Sequence, residues 1–344
     1  MDNEINQADN FDQTPFYIVC EKGFLDIVKL LLNDQRIDVN KANKSGQTPF
    51  YRACLNKQIE VIRILIQEEE RINLNGQTPF FIACLNGHIE IVKILLSSDS
   101  RVDFNKGDYS SWTPFHLACQ NGHIEIVKLL LNDDKIDVNK VNKDGVSSFY
   151  LVCQNGIINV AKLLLNDQRV DGNKAKVFGE TPFYSACQEG HIEIVKLLLS
   201  DKRIDVNKAK IFGETPFWIA CQNEHIEIVK LLLNDERVDK TQTQNDYWAS
   251  FWMACYNGEI NNVKLLLTNN EGIDVNQANN DGLTAFHIAC YYGHIELVKL
   301  LLNDKRISIR RKNNQGKTAM DIANEREHSK IVKLIQEFDT GNTS

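Results

Sequence analysis

Cysteine and histidine stand four residues apart in "TPFHLACQNGHIEIVKLLLND" (residues 113–133), where Cys119 precedes His123. A thiolate and an imidazole in that arrangement could ligate zinc or work as nucleophile and base. Zinc would need two such pairs converging tetrahedrally on one ion, and a nucleophile would need one activated thiol with an orienting partner. The spacing recurs instead at Cys84/His88, Cys187/His191, Cys221/His225 and Cys290/His294. A unit copied by translation places each pair one helix diameter from the next, not around a common point. All nine cysteines (20, 54, 84, 119, 153, 187, 221, 255 and 290) fall on one position of the unit, which reads as core filling by a small apolar residue. The turns "NNDG" and "NKDG" invite a calcium reading, yet an EF-hand puts its glycine at loop position six, and from Asp274 the next glycine, Gly282, comes at position nine. No catalytic residue, metal or cofactor is expected.

The unit itself is set by its anchors Thr14, Thr48, Thr78, Thr113, Ser147, Thr181, Thr215, Ala249, Thr284 and Thr318, whose steps are 34, 30, 35, 34, 34, 34, 34, 35 and 34. A fixed period of this length indicates a stack of identical supersecondary units that grows by addition, so one array is expected over residues 1–338 with a short polar tail at 339–344. Thr-Pro opens most units and makes a helix start, with the Thr hydroxyl as N-cap and Pro in the first turn. Small residues at anchor+5 and +6, such as Ala118-Cys119, allow close backbone approach, and Gly at +9 ends this first helix. Apolar residues at +11, +13, +14 and +16 to +18 then make a second helix whose stripe is too wide for one buried face. It must touch neighbours on both sides. The following "NDxRIDVNKxNxxG" has the composition of an extended finger with a tight turn.

Unit after unit, "TPFHLACQNGHIEIVKLLL" resembles the ankyrin repeat, with its T-P-L-H-x-A start and its Gly-His before the second helix. Phe stands for the usual Leu and Cys for a usual Ala. The resemblance implies an all-α repeat fold, an ankyrin-repeat solenoid of helix-turn-helix units with β-turn fingers, and a structural role for the His as a turn hydrogen-bonder. Three units depart from the pattern. The third anchor comes four residues early, so a stunted finger is expected there; Ala249-Ser250 and Tyr247 replace Thr-Pro and Gly in unit eight, so its turn should be distorted; and Asp321, Asn324 and Glu325 dilute the last unit into a cap.

The resemblance also implies where a partner would bind, because finger tips and first-helix ends are the usual contact positions of such arrays. These positions carry Tyr109, Trp112, Phe178, Phe212, Tyr247, Trp248, Tyr256, Tyr291 and Tyr292, and clustered exposed aromatics are hot-spot material. The aromatic stripe at +3, which includes Tyr17, Tyr150, Tyr184 and Trp252, is expected to be half-buried packing. A basic residue at +15 in every unit would form a stripe, but an acid three residues earlier in most units should neutralise it.

With 39 Lys+Arg against 46 Asp+Glu, the net charge of -7 argues against a nucleic-acid partner. The polar start and the Lys-interrupted apolar runs argue against secretion and membrane insertion. The reading is therefore a cytoplasmic, monomeric, non-enzymatic scaffold or adaptor that binds another protein and no small-molecule substrate. An enzyme-blocking subunit and a purely structural spacer are the alternatives.

Overall fold

The structure is a computed structural model that describes residues 4–68, 71–73, 79–98, 102–238, 243–269 and 274–341, without the side chains of residues 98, 243–247, 269 and 341. The chain divides into two compact units, residues 1–177 and 178–344.

In the first unit the helices run in pairs: α1 (Pro15–Lys22) and α2 (Leu25–Leu32), α3 (Pro49–Leu55) and α4 (Ile59–Gln67), α5 (Pro79–Leu85) and α6 (Ile89–Ser98), α7 (Pro114–Gln120) and α8 (Ile124–Leu131), α9 (Ser148–Gln154) and α10 (Ile158–Asn166). Within it α1, α3, α5, α7 and α9 pack in sequence, as do α2, α4, α6, α8 and α10. The second unit repeats the plan with α11 (Pro182–Gln188), α12 (Ile192–Ser200), α13 (Pro216–Gln222), α14 (Ile226–Asn234), α15 (Thr243–Asn257), α16 (Ile260–Asn269), α17 (Ala285–Tyr292), α18 (Ile295–Leu302), α19 (Ala319–Glu325) and α20 (Ser329–Gly341). There too, odd-numbered helices pack on odd and even on even. The only β-pairing among the described residues is two isolated bridges, Val141 with Ser147 and Ala278 with Thr284, each closing a finger.

The caps form as the sequence requires. The Oγ1 of Thr14, Thr48, Thr181 and Thr215 accepts the N–H of the residue three later at 3.0–3.1 Å, and each such cap is worth about 1 kcal/mol. Gly23 and Gly293 end α1 and α17 with φ of 76° and 78°. Lys57, Glu224 and Glu327 hold the same left-handed position with φ of 57–61°, a conformation that an L side chain adopts only at a cost.

Polar ladders absent from the sequence reading tie the fingers together. Asn105 Nδ2 donates to the Lys135 carbonyl at 2.7 Å and its Oδ1 accepts the Asp137 N–H at 2.8 Å; Asn6, Asn139 and Asn276 bond the following finger in the same two-way fashion. The Arg of "NDxR" is held by the Asp two residues before it, and Arg169, Arg237 and Arg306 reach back to a C-terminal carbonyl of the preceding repeat's second helix. Arg306, for example, meets Asp304 at 2.7 Å and the Leu267 carbonyl at 3.0 Å. A cation there also complements the helix dipole.

The expected stunted finger between units two and three lies largely outside the described residues. In unit eight the structure replaces the turn by helix: α15 has 15 residues where other first helices have 7 or 8. Without Pro and Gly nothing stops the backbone from winding early. The last unit has the polar exterior of a cap, with Asp321, Asn324 and Glu325 exposed over buried Ala319, Ile322 and Ala323.

Candidate functional site

The Cys-x3-His pairs are two separate structural devices. All nine cysteines are buried, and loss of solvent pushes thiols such as Cys54, Cys119 and Cys187 far above the ordinary cysteine range, so they are poor nucleophiles. The histidines reach back one repeat: the Nε2 atoms of His123, His225, His294 and His328 bond the carbonyls of Leu85, Gln188, Tyr256 and Tyr291 at 2.9–3.1 Å. Gln58 does the same to Glu21. A Cβ on Gly87, Gly190, Gly258 or Gly293 would come within 2.6–2.8 Å of the next imidazole, which explains the Gly and His as one device. Where Lys57 takes the glycine's place, His88 turns and uses Nδ1 on the Cys54 carbonyl at 3.3 Å instead.

The +15 cations are neutralised as expected: Lys128 meets Glu125 at 2.7 Å, Lys196 meets Glu193 at 2.8 Å and Lys299 meets Glu296 at 2.7 Å. Of the +3 aromatics, Tyr51, Phe81, Trp218 and Trp252 are half-buried as expected, while Tyr17, Tyr150 and Tyr184 go deeper, at most 3% exposed.

Of the aromatics singled out as contact residues, the structure brings four together in the second unit. Extension of α15 sets Trp248, Trp252 and Tyr256 at i, i+4 and i+8, along one helix face. Trp248 and Trp252 have ring centroids 6.5 Å apart, and Trp252 stacks on Tyr256 at 5.7 Å with 20° between planes. Tyr256 meets Tyr292 of α17 edge-on at 4.6 Å, and Tyr292 meets Tyr291 at 4.9 Å. The Arg326 guanidinium, just beyond α19, lies 3.8 Å from the Tyr291 ring centre and donates to its hydroxyl. This ridge crosses three repeats, and its backbone is pinned by His294 and His328 on the carbonyls of Tyr256 and Tyr291.

Tyr256 and Tyr292 remain 39% and 42% exposed, while Trp248 is half-buried and donates its indole N–H to the Gln277 carbonyl at 2.9 Å. Hydrogen bonding with Tyr256, and then desolvation, raise the Tyr292 hydroxyl above the usual tyrosine range. Sequence reasoning missed Trp252 and Arg326 as members. The signal for Trp252 was the W-x3-W-x3-Y spacing, legible only once one helix was known to span residues 248–256.

The other candidates do not join the ridge. Phe178 and Phe212 are 60% and 81% exposed on their fingers, with no ring contact to it among the described residues. Tyr109, 93% exposed, belongs to the first unit. Trp112 is a packing residue of that unit, set against Val146, Tyr150 and Leu151 and edge-on to His116 at 5.4 Å. The side chain of Tyr247 lies outside the described residues.

Repeat eight carries a further polar cluster. Glu259 occupies the histidine position, and its carboxylate accepts from Asn257 and from Asn262, both at 2.6 Å; Asn262, fully buried, also bonds the Cys221 carbonyl at 2.8 Å. Burial raises the Glu259 carboxyl above the ordinary glutamate range, against the lowering effect of its two amide partners.

No described helix is long and apolar enough to cross a membrane. A comparison with curated proteins finds no match. The family model described as ankyrin repeats (3 copies) matches residues 1–75, 68–142, 135–210, 202–279 and 251–343. With paired helices, Gly-His locks and bridged fingers recurring at the period of the sequence, and with those matches running nearly end to end, the chain belongs to the ankyrin-repeat family.

Proposed function

We propose that this chain is a non-catalytic protein-binding scaffold or adaptor of the cytoplasm, and that its recognition surface is the aromatic ridge of repeats eight to ten. Ankyrin repeats are in general protein–protein interaction modules, and the observation that carries the specific reading is the ridge itself. Trp248, Trp252, Tyr256, Tyr292 and Tyr291 form a continuous row with two tyrosines still open to solvent. Large rigid aromatics held in place before a partner arrives lose little entropy on binding, so the contact area they offer converts well into affinity. Mechanism on this reading is recognition alone. Buried, high-pKa thiols and carbonyl-bonded imidazoles are unsuited to acid–base or nucleophilic work.

The test is quantitative affinity capture from native lysate with the wild type and with a variant carrying Trp248→Ala, Tyr256→Ala, Tyr291→Ala and Tyr292→Ala. A partner enriched by the wild type and lost by the variant, at unchanged helical circular dichroism, supports the reading. Capture of the same partner by both chains moves the surface elsewhere, and the exposed Phe178 and Phe212 fingers become the next candidates. A chain that captures nothing specific is a spacer.

A further inference from the structure

The ridge runs into ground of unusual charge. The finger between repeats nine and ten, residues 303–317, carries Lys305, Arg306, Arg310, Arg311, Lys312 and Lys317 against one acid, Asp304. The finger at 200–214 sets four bases against three acids, and that at 166–180 sets three against three. Ser308 and Arg310 stand where other fingers have the Asp and Asn of "DVN". The finger has therefore exchanged an acid and a ladder amide for a serine and a cation, in a chain whose net charge is -7.

Three of these cations are committed: Arg306 to Asp304 and Leu267, Arg310 to Asp339 at 2.7 Å and Lys317 to Glu325 at 2.7 Å. The Arg310 pair is largely solvated, with Arg310 71% exposed, and holds weakly. Arg311 and Lys312 are exposed and have no ion pair among the described residues. Between this finger and the first helices lies an open groove of about 590 Å³, whose walls include Tyr291, Arg326, Lys317, Asn313 and Asp281. Tyr291 and Arg326 thus belong to both the ridge and the groove. The acids bordering the groove are Asp281 and Glu325, with Asp321 within electrostatic reach of Lys312 and Lys317. Glu325 is held by Lys317 and Asp321 by the N–H and hydroxyl of Thr318.

We infer that the groove between the last two repeats receives an extended acidic segment of a partner protein, with its apolar or aromatic side chains on the Tyr256–Tyr292–Tyr291 ridge and its carboxylates drawn to the basic finger that forms one wall, where Arg311 and Lys312 immediately precede the wall residue Asn313. This rests on the reading of the ridge as the recognition surface and adds the chemistry of the occupant. A nucleic acid fits less well, because the positive charge is confined to one finger of an acidic protein, short of the long basic track that phosphate backbones require.

The test uses the whole chain and a fluorescein-labelled peptide of alternating glutamate and tyrosine, with glutamine–tyrosine and lysine–tyrosine peptides as controls. Fluorescence anisotropy should show preferred binding of the glutamate peptide, weakening as salt rises to roughly 0.15 M, where the Debye length has shrunk to about 8 Å. The double variant Arg311→Glu with Lys312→Glu should lose about tenfold or more in affinity. Both residues are exposed, so folding is not at stake, and the salt titration of the wild type provides a readout that needs no variant. Equal binding of the glutamine peptide, an unchanged affinity in the reversed variant, or displacement of the peptide by oligothymidylate at matched charge would each overturn the inference. If the reversed variant still captures the native partner while the aromatic variant loses it, the ridge stands and the acidic occupant falls. If the aromatic variant keeps that partner, the ridge reading falls and this inference with it.

Discussion

In the first repeat Ile27 is 45% exposed and Leu30 69%, with Phe24 beside them at 52%; in the last repeat the residue equivalent to Ile27 is Ile331, at 0%. Ile27 has its counterparts in Val61, Ile91 and Ile126 of the same unit, each at most 2% exposed, so the side of the second helix that faces a preceding repeat is apolar throughout and stands open at the first. The opposite side opens at the last repeat. There Asn324 replaces the cysteine found in every earlier repeat, Met320 replaces phenylalanine, and Gln336 replaces the leucine or isoleucine that ends the second-helix stripe. One terminal face has been rewritten for water and the other keeps the sequence of an interior contact. A repeat's side chains are chosen by what covers them, and the two ends show the choice made and not made.

The sharpest way to break this comparison is to truncate equivalent residues. Leu297→Ala, at a site 1% exposed in repeat nine, should cost about 2–5 kcal/mol through lost burial and cavity, read as a lowered urea midpoint. Ile27→Ala should cost under about 1 kcal/mol in the same assay, because much of that side chain is already in water. Equal losses would mean that the first face is covered in solution. Next in size is an exchange of polarity across the array. Cys290→Asn puts an amide where the cysteine is 0% exposed and should cost about 1–3 kcal/mol for an unsatisfied buried group, whereas Asn324→Cys should stay within about 0.5 kcal/mol.

A smaller effect is expected where a closed face already carries a polar group. Glu259 has its carboxyl raised by burial. The folded chain therefore holds a proton that the unfolded chain has released, and stability contributed at low pH is lost as pH rises from the ordinary glutamate range through the folded value. Glu259→Gln should remove that slope and raise the urea midpoint at neutral pH while changing little in acid; an unaltered pH profile would show the carboxylate to be well solvated. Smallest of all, Ile27→Gln with Leu30→Gln should change stability by no more than about 0.5 kcal/mol, and light scattering should fall as an exposed apolar patch is removed. A large destabilisation by that pair would restore symmetry between the ends.

Much of this was legible because a repeat writes each physical requirement many times. The Thr-Pro starts, the Gly stops and the apolar offsets are local rules, so one-dimensional spacing was enough to set the helix pairs and their repetition. The cysteines could be removed from chemistry for the same reason, since nine copies on one offset must share one environment. What a period cannot express is which atom of one repeat meets which atom of the next. The Gly-His lock was read as a turn within a unit, and it proves to be a bond between repeats, from the imidazole to a carbonyl 37 or 38 residues earlier. The finger ladders of Asn and Arg are contacts of the same kind, with separations of 30–39 residues, and composition alone marked those residues only as turn formers.

The candidate surface divides along the same line. Sequence by itself determined which side chains were aromatic and on which loops and helix ends they sat, because those positions follow from the repeat frame. Tertiary structure decided which of them meet. Trp112 turned inward against Val146 and Tyr150, and Trp252 joined a ridge from a position expected to be packing. The cause of the second change is backbone: α15 starts at Thr243, without a Thr-Pro to fix its first turn, and the added turns bring Trp248 onto the face that Trp252 and Tyr256 share beside Tyr292. Spacing along the chain sets the helical face a residue belongs to only after the helix is known to include it, and in repeat eight the helix extended beyond the frame that the other nine repeats share.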